Sequence, residues 1–118
     1  MNNHIHLIWQ ALFGYTPDMI QSGFMNFTAQ TIKFDLKVNH PLVLEKFKVK
    51  AKDREYRFWE RNPLSIDLFT HDVFMQKLEY IHWNSVKAGP CSLPEEYYYS
   101  SAKFYNSGID NFKMLTHY

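Results

Sequence analysis

The apolar positions of this chain change their period several times, and each change predicts an element. In the segment MNNHIHLIWQ, Ile5, Leu7 and Trp9 alternate with His4 and His6. Successive side chains of a strand point to opposite faces, so this period of two predicts a strand with Ile5, Leu7 and Trp9 turned into a core and both histidines on the other face. Residues 14–18 form a loop closed by the turn Thr16-Pro17-Asp18. Phe24, Phe27, Ile32 and Phe34 then make an imperfect helical stripe, with Lys33 and Lys37 on the other side. Ser22 is the expected N-cap of a helix over 23–38, and Asn39-His40-Pro41 ends it. The period returns to two where Lys46, Lys48, Lys50 and Lys52 alternate with Phe47, Val49 and Ala51, predicting a strand or hairpin arm with one basic face. Residues 54–60 and 65–69 read as further strands joined by an Asn62-Pro63 turn.

The clearest helical signal runs over 71–88. Phe74, Leu78, Ile81 and Ser85 fall on one stripe, Thr70 is placed to cap the start, and Gly89-Pro90 supplies the stop. Tyr80 and Asn84, four apart, share one side at the border of that stripe, and Lys77 and Lys87 extend the row at either end. Residues 93–99 begin as a loop with a Pro-Glu-Glu turn. Ser100 and Ser101 cap a short helix through Tyr105 that stops near Gly108, and the tail Phe112-Lys113-Met114-Leu115 is expected to dock on the core. Tyr97, Tyr98 and Tyr99 are expected to pack. These elements predict an α+β fold, an antiparallel sheet with helices packed on it.

With 118 residues the chain suffices for one domain, 1–118, with a modest core, and its 46% hydrophobic and 18% aromatic content excludes a disordered chain. No run of 18 apolar residues and no signal-peptide pattern is present, so a soluble, cytoplasmic protein without a membrane partner is expected. The lone Cys91 cannot form an internal disulfide and reads as an ordinary thiol.

A net charge of +1 argues weakly against a nucleic-acid partner, but seven of the thirteen cationic residues lie between Lys46 and Arg61. Arg54, Arg57 and Arg61 interleave with Tyr56, Phe58 and Trp59, a combination of phosphate contacts and stacking rings that suits single-stranded DNA. For the lysines, Lys48 and Lys50 among them, an edge strand kept soluble by charge fits the same pattern.

Two imidazoles on one strand face, about 7 Å apart along the strand, can clamp a divalent metal. A half-exposed hydrogen-bonding pair has the same signature. A tyrosine hydroxyl beside a carboxamide oxygen suits a nucleophile next to a third metal ligand, and an ordinary border tyrosine has that spacing too. His82 falls on a different helix face from Tyr80 and is expected at the surface or on a DNA backbone. His40, His71 and His117 show no ligand spacing.

The blocks M-x-N-H-I-H-L-I-W, R-x-x-x-F-W-E-R and K-L-E-Y-I-H-x-N-x-V-x-A-G, followed by P-E-E-Y-x-Y-S-S-A-K-F-Y, span nearly the whole chain in order. Together they resemble the REP-associated tyrosine transposases, a branch of the HUH single-tyrosine transposase family. The resemblance implies a split-βαβ, ferredoxin-like arrangement and a metal-dependent single-stranded DNA endonuclease and strand transferase working through a 5′-phosphotyrosine. It implies Tyr80 as nucleophile and His4, His6 and Asn84 as ligands of Mg2+ or Mn2+. Mg2+ prefers oxygen, so a histidine pair is better matched to Mn2+, Co2+ or Ni2+. Arg54, Arg57, Arg61, Lys48, Lys50, Lys77 and Lys87 are the candidate contacts to single-stranded or hairpin DNA. Some relatives exchange the tyrosine helix between chains, so a homodimer fits the resemblance.

Two features depart from the family pattern. A strand and a helix usually precede the histidine strand, whereas this sequence starts just before His4. Asn84-Ser85-Val86 stands where the family usually has N-P-V, and serine permits the helix to continue where proline would shape its end. A DNA-hairpin-binding protein without catalysis, or a piece with no stable fold alone, are the alternatives these departures leave open.

Overall fold

The computed structural model describes residues 3–117, which divide into two compact units, one of residues 3–8 and 66–117 and the other of residues 9–65. Helix accounts for 47% of the structure, and among the described residues the sole β pairing is one antiparallel bridge between Lys48 and Tyr56. The expected antiparallel sheet is therefore absent there, and with it the strands expected at the histidine pair, at 54–60 and at 65–69. A strand is held by hydrogen bonds to a neighbour remote in sequence, and an isolated hairpin is marginal by itself. Local alternation can prepare such a segment without supplying the neighbour.

In the unit of residues 9–65, helix α1 spans Pro17–Asn39 and α2 spans Pro41–Glu45. Helix α1 starts six residues before its expected beginning. Thr16, rather than Ser22, is the cap: its hydroxyl accepts the Met19 N–H at 3.2 Å, and Pro17 at the first helical position has no N–H to leave unpaired. The end falls at Asn39, one residue beyond the expected one. The apolar stripe is not a buried one, since α1 contains no buried residue and Phe27 is 73% exposed. Packing in this unit is carried by α2, which lies against α1 and buries Leu44, and by ring contacts of Phe24 with Trp59 and of Phe47 with Phe58.

The lysine segment forms a hairpin arm. Val49 N–H donates to Glu55 O and Arg57 N–H to Phe47 O, both at 2.9 Å, around the Lys48–Tyr56 bridge. All four lysines are exposed while Phe47, Val49 and Ala51 are half-buried, as the alternation requires. Asn62 takes a left-handed backbone, φ 57°, a conformation asparagine adopts more readily than most residues, at the expected Asn-Pro turn.

In the unit of residues 3–8 and 66–117, α3 spans His71–Lys87 and α4 spans Ala102–Ser107, with a 3-10 turn, Pro94–Glu96, packed against both. Thr70 Oγ1 accepts the Val73 N–H at 3.2 Å. After Ala88 the backbone turns left-handed at Gly89, φ 92°, where a side chain would be strained, and the helix stops. The Glu96 carboxylate reaches back to the Ser92 and Leu93 N–H groups at 2.9 and 3.0 Å, which holds the Pro-Glu-Glu turn closed. The small core consists of Leu78, Ser85 and His82 from α3 with Pro94 and Ala102.

Four further expectations are corrected in this unit. Ile5 is 50% exposed and Leu7 is also open, while His6 and Ile8 are half-buried, so the amino-terminal alternation faces the opposite way from the expected one. Trp9, which opens the other unit, is exposed as well. His82 is not a surface residue but 8% exposed. Tyr98 and Tyr99 are exposed and lean edge-on against each other rather than filling the core. In the tail, Phe112 lies against Tyr98 but Met114 is open; the anchor is His117, stacked on Phe104 at 3.5 Å between ring centres and 3.1 Å from Asp110.

Candidate functional site: two imidazoles and a helix phenol

Tyr80 stands on the middle of α3, with its neighbours Leu78 and His82 buried and its own ring 50% exposed. The helix therefore anchors the residue while leaving the phenol open to a ligand. The His6 ring stands edge-on to it, with ring centres 6.0 Å apart and planes at 78°. His4 in turn stands edge-on to His6 at 5.2 Å. The extended segment before Ile8 and the middle of α3 thus bring together three of the side chains singled out in the sequence.

The two imidazoles differ in environment. His4 Nδ1 is bonded to Asn3 Oδ1 at 2.8 Å, which orients that ring. Partial burial, and secondarily the charge of a protonated His4, hold the His6 imidazole below its ordinary pKa. Both effects favour the neutral ring, the form that donates a lone pair to a metal.

Asn84 is one turn beyond Tyr80, and its Nδ2 donates to the Tyr80 carbonyl at 2.9 Å. The carboxamide oxygen is not the atom used in that bond and keeps its acceptor capacity. The geometry joins Asn84 to the helix backbone at Tyr80, not to either imidazole. Among the described residues no group of three or more His, Cys, Asp or Glu side chains gathers. Two imidazoles and one carboxamide oxygen are nevertheless a donor set that suits a divalent cation of the Co2+ or Ni2+ kind, and leave coordination positions for phosphate oxygen or water. Lys87 Nζ lies over the Tyr80 ring, 5.4 Å from its centre, a contact that sequence spacing anticipated only as a shared helix row. Lys77 is half-buried on the same helix.

The remaining predicted DNA contacts belong to the other unit. Lys48 is exposed beside Glu45 at 3.6 Å, and Lys50 is exposed on the hairpin arm. Arg54 is bound to Asp53, with its Nη2 2.6 Å from the carboxylate. That hydrogen bond first, and the charges of Arg54 and Arg61 after it, hold the Asp53 carboxyl below its usual value. Arg54, Arg57 and Arg61 line one cleft together with Tyr56, Phe58 and Trp59.

Sequence reasoning missed the burial of His82, whose Nε2 is 2.9 Å from Ser101 Oγ. The available signal was its place beside Leu78 and Ser85, since positions 78, 82 and 85 follow the i, i+4, i+7 rule. Among the described residues no helix is long and apolar enough to cross a membrane. Comparison of the chain with protein-family models, with curated proteins and with solved structures returned no match.

Proposed function

We propose that this protein cleaves and rejoins single-stranded DNA, with Tyr80 as the attacking group. The observation that supports this reading best is the approach of His6 to Tyr80 with His4 behind it, on a helix that exposes the phenol. In the cleavage step the Tyr80 oxygen forms a bond to phosphorus and the phosphorus–O3′ bond breaks. The phenol proton is lost to solvent, and the departing 3′ oxygen takes up a proton to become a hydroxyl. The product is a 5′-phosphotyrosine, and the reverse attack by a 3′ hydroxyl rejoins the strand because a phenolate leaves more readily than an alkoxide.

Each local residue has a task in this scheme. Helix α3 holds the Tyr80 backbone, so the phenol's approach is set by one side-chain geometry. The Lys87 ammonium restrains the ring and brings positive charge beside it, which favours a phosphate. His4, His6 and Asn84 are the residues that would hold a divalent cation. When bound, such a cation neutralises the non-bridging phosphate oxygens and orients the phosphate for in-line attack.

The test is direct. Wild-type protein incubated with a hairpin-bearing single-stranded oligonucleotide and Mn2+ is expected to give a covalent adduct that survives denaturing electrophoresis and disappears in Tyr80→Phe. Hairpin binding without an adduct under any divalent metal would replace this reading with that of a non-catalytic binder. A melt with no cooperative transition would replace both.

A further inference from the structure

In the unit of residues 9–65, a cleft of about 440 Å³ opens between one side of α1 and the segment 53–62. Its volume falls in the range of small-ligand sites, roughly 300–1,000 Å³. Three guanidinium groups, those of Arg54, Arg57 and Arg61, line it against the carboxylates of Asp53 and Glu60, so positive charge is in surplus. Arg54 is already engaged by Asp53. Arg57 is not satisfied: its Nε–H is closed off from solvent and has no acceptor. A shielded charged donor without an acceptor is costly, and an incoming anion bonded to the same guanidinium offsets that cost.

The aromatic wall is fixed in advance. Trp59 Nε1 donates to Thr28 Oγ1 at 2.9 Å, and that hydroxyl donates to the Phe24 carbonyl at 2.7 Å. Phe24 adds a ring contact at 6.2 Å. With its one donor satisfied, the indole offers its faces rather than its N–H, and little side-chain freedom remains to be lost on binding.

We propose that this cleft holds one unpaired nucleotide of a single-stranded DNA, the phosphate on Arg57 and the base stacked on Trp59. The choice of DNA strand rests on the function proposed above; the cleft itself does not involve Tyr80. An acidic peptide would satisfy the arginine and leave the indole uncovered. Duplex DNA keeps its base faces stacked on each other and has none to offer.

The experiment uses the full chain carrying Tyr80→Phe, which cannot form a covalent adduct. It is titrated with fluorescein-labelled dT20, with the matching duplex and with thymidine monophosphate, by polarisation and by tryptophan emission in a Trp9→Phe, Trp83→Phe background. Quenching of Trp59 by dT20 is expected, with duplex binding at least tenfold weaker. Arg57→Lys keeps the charge but loses the planar fork, and is expected to weaken dT20 binding about tenfold. Unchanged affinity in Arg57→Lys, or saturation by dT20 without any change in Trp59 emission, would overturn the proposal. Thymidine monophosphate binding as tightly as dT20 would overturn the strand and leave a free-nucleotide site. An absent adduct in the wild type with this quenching intact would sink the nuclease reading alone, and the converse would sink the cleft alone.

Discussion

The imidazole of His82 and the hydroxyl of Ser101 are joined by a 2.9 Å hydrogen bond that ties the middle of α3 to the first turn of α4. The residue after Ser101, Ala102, is buried, and its N–H is taken by Ser100 Oγ at 3.1 Å. The two serines therefore divide the work: Ser100 accepts the first N–H of the short helix, and Ser101, at its N-cap position, satisfies the one polar ring in the core.

A pH dependence follows from this pairing. Burial holds the His82 pKa below the ordinary histidine value of about 6.5, so the unfolded chain binds a proton that the folded chain resists. The contribution is fully present above pH 6.5 and is lost as pH falls toward the depressed folded value. The His6 shift has the same sign. Urea midpoints are expected to drop between pH 7.5 and 5.5, and the drop is expected to shrink in His82→Gln. Equal pH slopes in the two proteins would exclude His82 as the cause.

The start of α3 depends on one hydroxyl. Thr70→Ala leaves the Val73 N–H without its acceptor and is expected to cost about 1 kcal/mol of stability. Thr70→Ser keeps the oxygen and is expected to restore most of it, as measured by denaturant unfolding followed by circular dichroism.

The histidine pair is expected to bind metal as a unit. His4→Ala and His6→Ala are each expected to weaken Mn2+ binding in calorimetry by about tenfold or more, and chelation by EDTA is expected to abolish the adduct reversibly. Calorimetric affinity unchanged in both variants would separate the imidazoles from any metal.

Lys87 acts on the ring that it covers. Lys87→Met keeps the aliphatic stem and removes the ammonium, and a contact of this exposed kind corresponds to a roughly two- to fivefold slower adduct formation. Lys103→Met, remote from Tyr80 in sequence and also cationic, serves as the control for net charge. An equal slowing in both would mean that the effect is not local to Tyr80.

Some of this structure was legible before any coordinates. The boundaries of α3, its threonine cap and its glycine stop follow from signals a few residues long, because capping and chain reversal involve groups that are neighbours along the chain. The exposed lysines and half-buried Phe47, Val49 and Ala51 follow from period two for the same reason. Helix α1 shows the limit of that logic: Ser22 and Thr16 both carry a capping hydroxyl, and Pro17 favours the earlier start.

Other features needed the folded chain. Whether Ile5 and Leu7 or His6 and Ile8 turn inward depends on what lies against the segment, and alternation alone carries no sign. A sheet requires a hydrogen-bonding neighbour from elsewhere in the sequence, and the described residues provide a single bridge where several strands were expected. The burial of His82 is settled by Ser101, nineteen residues away. Short-range patterns thus dictate where helices begin and end and which residue types are available for chemistry; the meeting of His4, His6 and Tyr80 comes from packing, because only long-range contacts can bring an extended segment against the middle of a helix more than seventy residues later.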